Sequence, residues 1–170
     1  MDPYGPKVYL EKGLPSSFNC LRNNMTETKH IEVLLVEDRA EDAELAIDSL
    51  RQGGLINEIK LLKDGQEALD YLFGEGAYQG LQQELPKLIL LDLKLPKVNG
   101  LEVLEKIKNS TKHQHIPIVI LTSSKEDIDI EKAYALGANS YIVKPVDFNN
   151  FSDAVRQVGL YWCVLNTAKT

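Results

Sequence analysis

Cysteine, methionine and tryptophan are scarce in this 170-residue chain, with two, two and one copies. Cys20 and Cys163 stand far apart with no metal-type spacing, so neither a disulfide framework nor a cysteine-based metal site is implied. Cationic excess is also missing. Against 25 Asp and Glu there are 19 Lys and Arg, leaving a formal charge of −6. That balance argues against direct DNA binding, which needs a basic footprint. No run reaches the roughly 18 apolar residues of a membrane span. The N-terminal segment lacks the apolar core of about 7–15 residues that marks a secretory signal. Internal repeats and low-complexity tracts are absent. With 44% hydrophobic residues the chain can still build a core, and the composition fits a cytoplasmic single-domain protein.

Residues 1–29 hold Pro3, Pro6 and Pro15 and show neither helical nor strand period. They read as a poorly ordered leader or an extension ahead of a start at Met25, with a docking arm as the alternative. From residue 30 the pattern changes. Five strands are expected, at Ile31 to Val36, Ile56 to Leu62, Leu88 to Leu91, Ile116 to Leu121 and Ser140 to Val143. Helical periods separate them, with Ala43, Ala46, Ile47 and Leu50 in the first and Leu101, Leu104 and Ile107 in the third. Glu41, Asp42 and Glu44 suit the positive end of the first helix dipole. The last helix is expected from about Asp147 to Val164, and residues 166–170 form a tail. Alternation of this kind gives parallel strands with right-handed crossovers. Strands one, three and four are nearly all apolar, as strands covered on both faces must be, while two and five are mixed, as edges are. The expected fold is therefore α/β, a (βα)5 doubly wound flavodoxin-like sheet of order 2-1-3-4-5, spanning residues 30–165.

Ligands of an open α/β sheet lie beyond the carboxyl ends of its strands. Those ends here carry Glu37 and Asp38, Asp92, Thr122, and Lys144. Each has an ordinary structural reading alone, as a helix cap or a loop opening. The signal is that all four occur in order. Strands one and three are neighbours in this topology, so their carboxylates converge and repel unless a cation sits among them. A hard, oxygen-seeking ion such as Mg2+ suits that donor set. With an ammonium and a hydroxyl added, the constellation can hold a phosphoryl group, and a carboxylate can itself be the covalent acceptor.

These segments, Leu34-Leu35-Val36-Glu37-Asp38, Leu90-Leu91-Asp92-Leu93-Lys94-Leu95-Pro96, Asn99-Gly100, Val119-Ile120-Leu121-Thr122 and Tyr141-Ile142-Val143-Lys144-Pro145, resemble the signature blocks of response-regulator receiver domains. The wording, with its long loop before Pro86 and its Trp-bearing last helix, is similar to small regulators that partner bacterial phytochrome-type histidine kinases. The resemblance implies that Asp92 accepts a phosphoryl group from a phosphohistidine. Asp38, Asp92 and the backbone carbonyl of Lys94 would ligate Mg2+, with Glu37 acting through a metal-bound water. Lys144 would pair with the phosphoryl oxygens. Thr122 and Tyr141 would form the switch, and the Lys144–Pro145 bond would be cis. The family often has Asp where Glu37 stands, and positions Lys94 and Ser124 flank the route of attacking water.

No output domain is expected after the last helix, so readout falls to protein contacts at the face of helix four, strand five and helix five, including a homodimer. Ile128, Ile130, Tyr134, Phe148, Tyr161 and Trp162 lie along that face, mostly as core. His30, His113 and His115 sit away from the strand ends and read as surface residues. Three rivals remain. A haloacid-dehalogenase-type phosphohydrolase needs an acid two residues after its nucleophile, where Lys94 stands. A flavin binder needs a small, hydroxyl-rich loop where Glu37-Asp38 stands. A phosphorylation-independent docking module needs none of the site. The resemblance therefore points to a phosphoacceptor signalling domain rather than an enzyme.

Overall fold

The computed structural model describes residues 31–54, 58–81, 85–144 and 148–165. The leader, the tail and the Lys144–Pro145 bond lie outside these residues. Five strands run in order: β1 Ile31–Val36, β2 Glu58–Leu62, β3 Leu88–Leu91, β4 Ile118–Thr122 and β5 Ser140–Val143. Five helices alternate with them: α1 Ala40–Gln52, α2 Gly65–Phe73, α3 Gly100–Lys108, α4 Asp127–Ala135 and α5 Phe148–Leu160. A π-helical turn, Tyr161–Leu165, follows α5, and a short 3-10 turn, Gly76–Tyr78, breaks the long loop before β3. The sheet is parallel throughout with the expected order β2-β1-β3-β4-β5.

Side chains alternate across each central strand, so both faces are apolar. Leu34, Val36, Ile89, Leu91, Ile118 and Ile120 point into one buried cluster with α2, α3 and Ala133 of α4. Val33, Leu35, Leu88, Leu90, Val119 and Leu121 point into the other, covered by Ala43, Ala46 and Leu50 of α1 and Phe151 and Val155 of α5. Strand β4 begins two residues later than its apolar run suggests. Pro117 has no N–H to give a ladder, and its carbonyl instead accepts from Ile89.

Helix starts follow side-chain chemistry. Asp64 accepts from the Glu67 N–H at 2.8 Å and Asn99 from the Glu102 N–H at 3.0 Å, each satisfying an orphan donor of a first turn.

One expectation about the surface fails. His115 is exposed, but His113 is buried at 2% exposure. Its Nδ1 lies 2.8 Å from the Ser110 hydroxyl and its ring sits 4.8 Å from that of Phe73, while Nε2 makes no hydrogen bond of normal geometry. The turn before β4 folds back under the end of α2, so a segment polar in sequence carries one imidazole into the core. Burial pushes this imidazole below its ordinary value; Lys112 adds to the push, and a backbone interaction with Leu72 opposes it. An unfolded chain then binds the proton more readily than the folded one, so stability is whole above the ordinary value of 6.5 and falls as pH drops through it. Urea denaturation at pH 7.5 and 5.0 should give a larger loss for the native chain than for His113→Gln. Equal losses would show that this ring does not couple to folding.

Candidate functional site

Parallel register brings the strand ends together. Val36 pairs with Leu91, so the residues after them, Glu37 and Asp92, leave adjacent strands side by side. The Asp92 N–H donates to the Val36 carbonyl at 3.1 Å and the Glu37 N–H to the Leu62 carbonyl at 2.9 Å, extending the ladder to the rim. Thr122 is the last residue of β4 and pairs with Val143, and the Lys144 N–H donates back to the Thr122 carbonyl at 2.7 Å. Side chains at the carboxyl ends of β1, β3, β4 and β5 thus emerge along one rim of the sheet.

The loop after Asp92 is held from two sides. Gly100 opens α3 directly against it, and a Cβ there would sit 2.1 Å from the Asp92 carbonyl oxygen, so only glycine permits this approach. On the other side Lys97, at φ 64°, reaches Asp64 with Nζ 2.6 Å from Oδ2. The Gly65 N–H meets the Pro96 carbonyl at 3.4 Å.

Ligand atoms of Glu37, Asp38 and Asp92 lie within 4.8 Å of one another. Glu37 and Asp92 are buried and Asp38 is exposed, so the group opens to solvent through Asp38. Lys144 enters from β5 and is only 10% exposed as a side chain. Its Nζ donates to Glu37, to Asp92 Oδ2 at 2.7 Å, and to Asp42 Oδ2 at 3.1 Å. Asp92 Oδ1 accepts from the Lys94 N–H at 3.2 Å. Each Asp92 oxygen therefore has one protein donor and keeps a second lone pair.

One ammonium cannot balance four carboxylates. Burial pushes the Glu37 carboxyl up to about 7; Lys144 pulls it down, and the charge of Asp92 pushes it further up. Lys144 is held above its ordinary value by Asp92 and Glu37 in spite of burial. A rim of three converging carboxylates with surplus negative charge fits a hard divalent cation and nothing apolar.

Thr122 is fully buried, and its Oγ1 accepts from the Ser124 N–H at 3.3 Å. Tyr141 is half-buried, with its hydroxyl donating to the Ser124 carbonyl at 3.2 Å. The Ser124 hydroxyl donates to Asp129 Oδ2 of α4 at 2.7 Å. Ser124 thus links both expected switch residues to the first turn of α4. The side chain of Lys94 is exposed. The expectation that the readout face is mostly core fails: Ile128, Tyr134 and Tyr161 are exposed and Ile130 and Trp162 half-buried, because α4 turns Ala133 rather than these side chains into the core, and the side chain of Phe148 lies outside the described residues. Asp42 is the site residue missed by reading helix-dipole chemistry alone. No spacing records it: Asp38 lies before the Arg39 cap of α1, and the contact that brings Asp42 into the site is with Lys144, 102 positions away.

Residues 33–156 match the response regulator receiver domain family. The chain belongs to that family. The receiver domain is 42% identical over 130 residues to the probable methanogenesis regulatory protein FilR2 of Methanothrix harundinacea, covering 76% of this chain and 82% of FilR2. Among solved structures it is similar to the phosphorylated cyanobacterial phytochrome response regulator RcpA, with TM-score 0.75 and 35% identity over 83% of this chain and 99% of that one. It is likewise similar to the Mn2+-bound form of response regulator Rcp1, with TM-score 0.75 and 34% identity over 82% of this chain and 99% of that one. No described helix of the receiver domain is long and apolar enough to cross a membrane.

Proposed function

We propose that this receiver domain takes a phosphoryl group on Asp92 from the phosphohistidine of a sensor histidine kinase, of the phytochrome type by likeness to RcpA. The observation that carries the reading is Asp92 itself, a strand-end carboxylate with Oδ2 on the Lys144 ammonium and two carboxylate neighbours within 4.8 Å. An Asp92 oxygen attacks phosphorus. The phosphorus–oxygen bond forms as the phosphorus–nitrogen bond breaks, and its electron pair returns to the donor imidazole. Lys144 holds positive charge where the phosphoryl oxygens gather. Glu37, Asp38, Asp92 and the Lys94 carbonyl would hold Mg2+, which supplies charge neutralisation for the incoming phosphoryl oxygens. The support for a cation is the donor chemistry of this rim and the Mn2+ of Rcp1.

Phosphorylation of the carboxylate replaces one negative charge by about 1.5 to 2. That local change becomes a signal only by biasing a two-state element. The Ser124 peptide, gripped by Thr122 and Tyr141 and tied to Asp129, is that element in our reading. Its readout is the α4–β5–α5 face, with a second copy of the chain as the partner that exposed Ile128 and Tyr134 would meet.

Incubation with acetyl phosphate and Mg2+, followed by intact-mass measurement, tests the core of the proposal. One phosphoryl adduct is expected, lost when EDTA is present from the start. An absent adduct would favour a docking module that works without phosphorylation, and an adduct indifferent to EDTA would remove the cation from the reaction.

A further inference from the structure

We propose that Asp42 is a positioning residue for phosphoryl transfer, holding the Lys144 ammonium in place from the first turn of α1. The inference rests on Asp92 being the acceptor. An ammonium has three N–H donors. Those of Lys144 meet three carboxylates from three separate elements: Glu37 after β1, Asp92 after β3 and Asp42 on α1. That tripod fixes a point charge on a four-carbon stem that would otherwise sample many rotamers. Its three legs are not equivalent. Glu37 and Asp92 also belong to the carboxylate cluster that suits a cation, whereas Asp42 stands outside it. Asp42 is therefore the leg whose charge is not shared with a metal. It is also the leg that phosphorylation of Asp92 leaves untouched.

Among the described residues Asp42 has one other cationic neighbour, Arg39. That contact is 3.8 Å long, and the Arg39 side chain is 63% exposed, so solvent screens it. A helix-dipole role alone is the rival explanation for an acid in a first turn. The rival makes Asp42 indifferent to Lys144; the tripod makes the two interdependent.

The test uses native chain, Asp42→Asn, Lys144→Met and the double variant. Asp42→Asn should slow labelling by acetyl phosphate and Mg2+ about three- to tenfold, with Asp42→Glu recovering part of the rate. In the Lys144→Met background the Asp42→Asn step should cost nothing further. The same four proteins give a thermal cycle in metal-free buffer. Asp42→Asn should lower the unfolding midpoint when Lys144 is present. It should no longer lower it when Lys144 is gone, because it then relieves carboxylate repulsion. Equal labelling by native chain and Asp42→Asn, or a midpoint loss of the same size in both backgrounds, would overturn the proposal. So would a loss of Mn2+ affinity in Asp42→Asn beyond about a hundredfold, more than a supporting residue costs, which would make Asp42 a metal ligand. Failure of the underlying acceptor reading looks different: native chain without label, or label retained in Asp92→Asn.

Discussion

Asp92→Asn should lose labelling by acetyl phosphate more than about a hundredfold, to the level of a blank reaction. A carboxylate oxygen attacks phosphorus with a full negative charge behind it. The amide that replaces it is neutral, and its oxygen is committed to resonance with nitrogen. The substitution changes almost nothing else. Asn has the same shape, the Lys94 N–H still finds an acceptor, and Lys144 keeps Glu37 and Asp42. One negative charge leaves a crowded rim, which offsets the lost charge-assisted bond at 2.7 Å. Far-ultraviolet circular dichroism and a thermal midpoint near that of the native chain are therefore expected beside the loss of label. The alternative acceptors are Glu37 and Asp38, which share the rim. Full labelling of Asp92→Asn, with loss in Asp38→Asn or Glu37→Gln, would move the covalent chemistry to the end of β1.

The sequence is most legible where local pattern and tertiary position coincide. Apolar runs that end in Glu37-Asp38, Asp92 and Thr122 announce buried parallel strands, the half-buried run ending in Lys144 an edge strand, and topology gives them a common rim. Strand period fixes which residues face which cluster, and β1, β3 and β5 keep their expected bounds. Legibility fails where burial is decided by a distant element. His113 sits among Lys112, Gln114 and His115 and looks solvated, yet Phe73 at the end of α2 closes over it. The loop that buries it is pinned by Lys108, whose Nζ donates to the Gln114 and Ile116 carbonyls at 3.1 and 2.9 Å. No helical or strand period records such a contact. Asp42 fails for a different reason. An acid in a first helical turn has a sufficient local explanation in the dipole, and that explanation hides a partner 102 positions away. Glu37 shows a third case: its identity as a strand-end acid is plain, but its carboxyl being pushed up to about 7 depends on how far burial exceeds the help of one ammonium.

Lys144→Met should cost about 3–5 kcal/mol of folding stability in metal-free buffer, the range for removing one partner from a buried ion pair. Lys144 is the positive group in contact with Glu37 and Asp92, whose side chains are 2% and 5% exposed. Methionine fills much of the same volume, so packing changes little, and the loss is electrostatic. Both carboxylates stay buried beside Asp38 with no ammonium to balance them. A divalent cation bound at the rim restores part of that balance, and the variant should bind it more tightly than the native chain because its site is more negative. Ligand linkage then makes the stability gap close as Mg2+ is added. Urea denaturation of both proteins in EDTA and in millimolar Mg2+ reads this directly. The expected pattern is a wide gap without metal and a narrower one with it. A gap that stays constant would mean that ammonium and cation act on separate carboxylates. A loss below about 0.5 kcal/mol would mean that solvent, entering past exposed Asp38, already screens the rim as it does an ordinary surface pair. Phosphoryl labelling of the same variant should be slowed but not abolished. Asp92 and its neighbouring carboxylates survive, and what is removed is the positive charge that Lys144 places beside the acceptor oxygen.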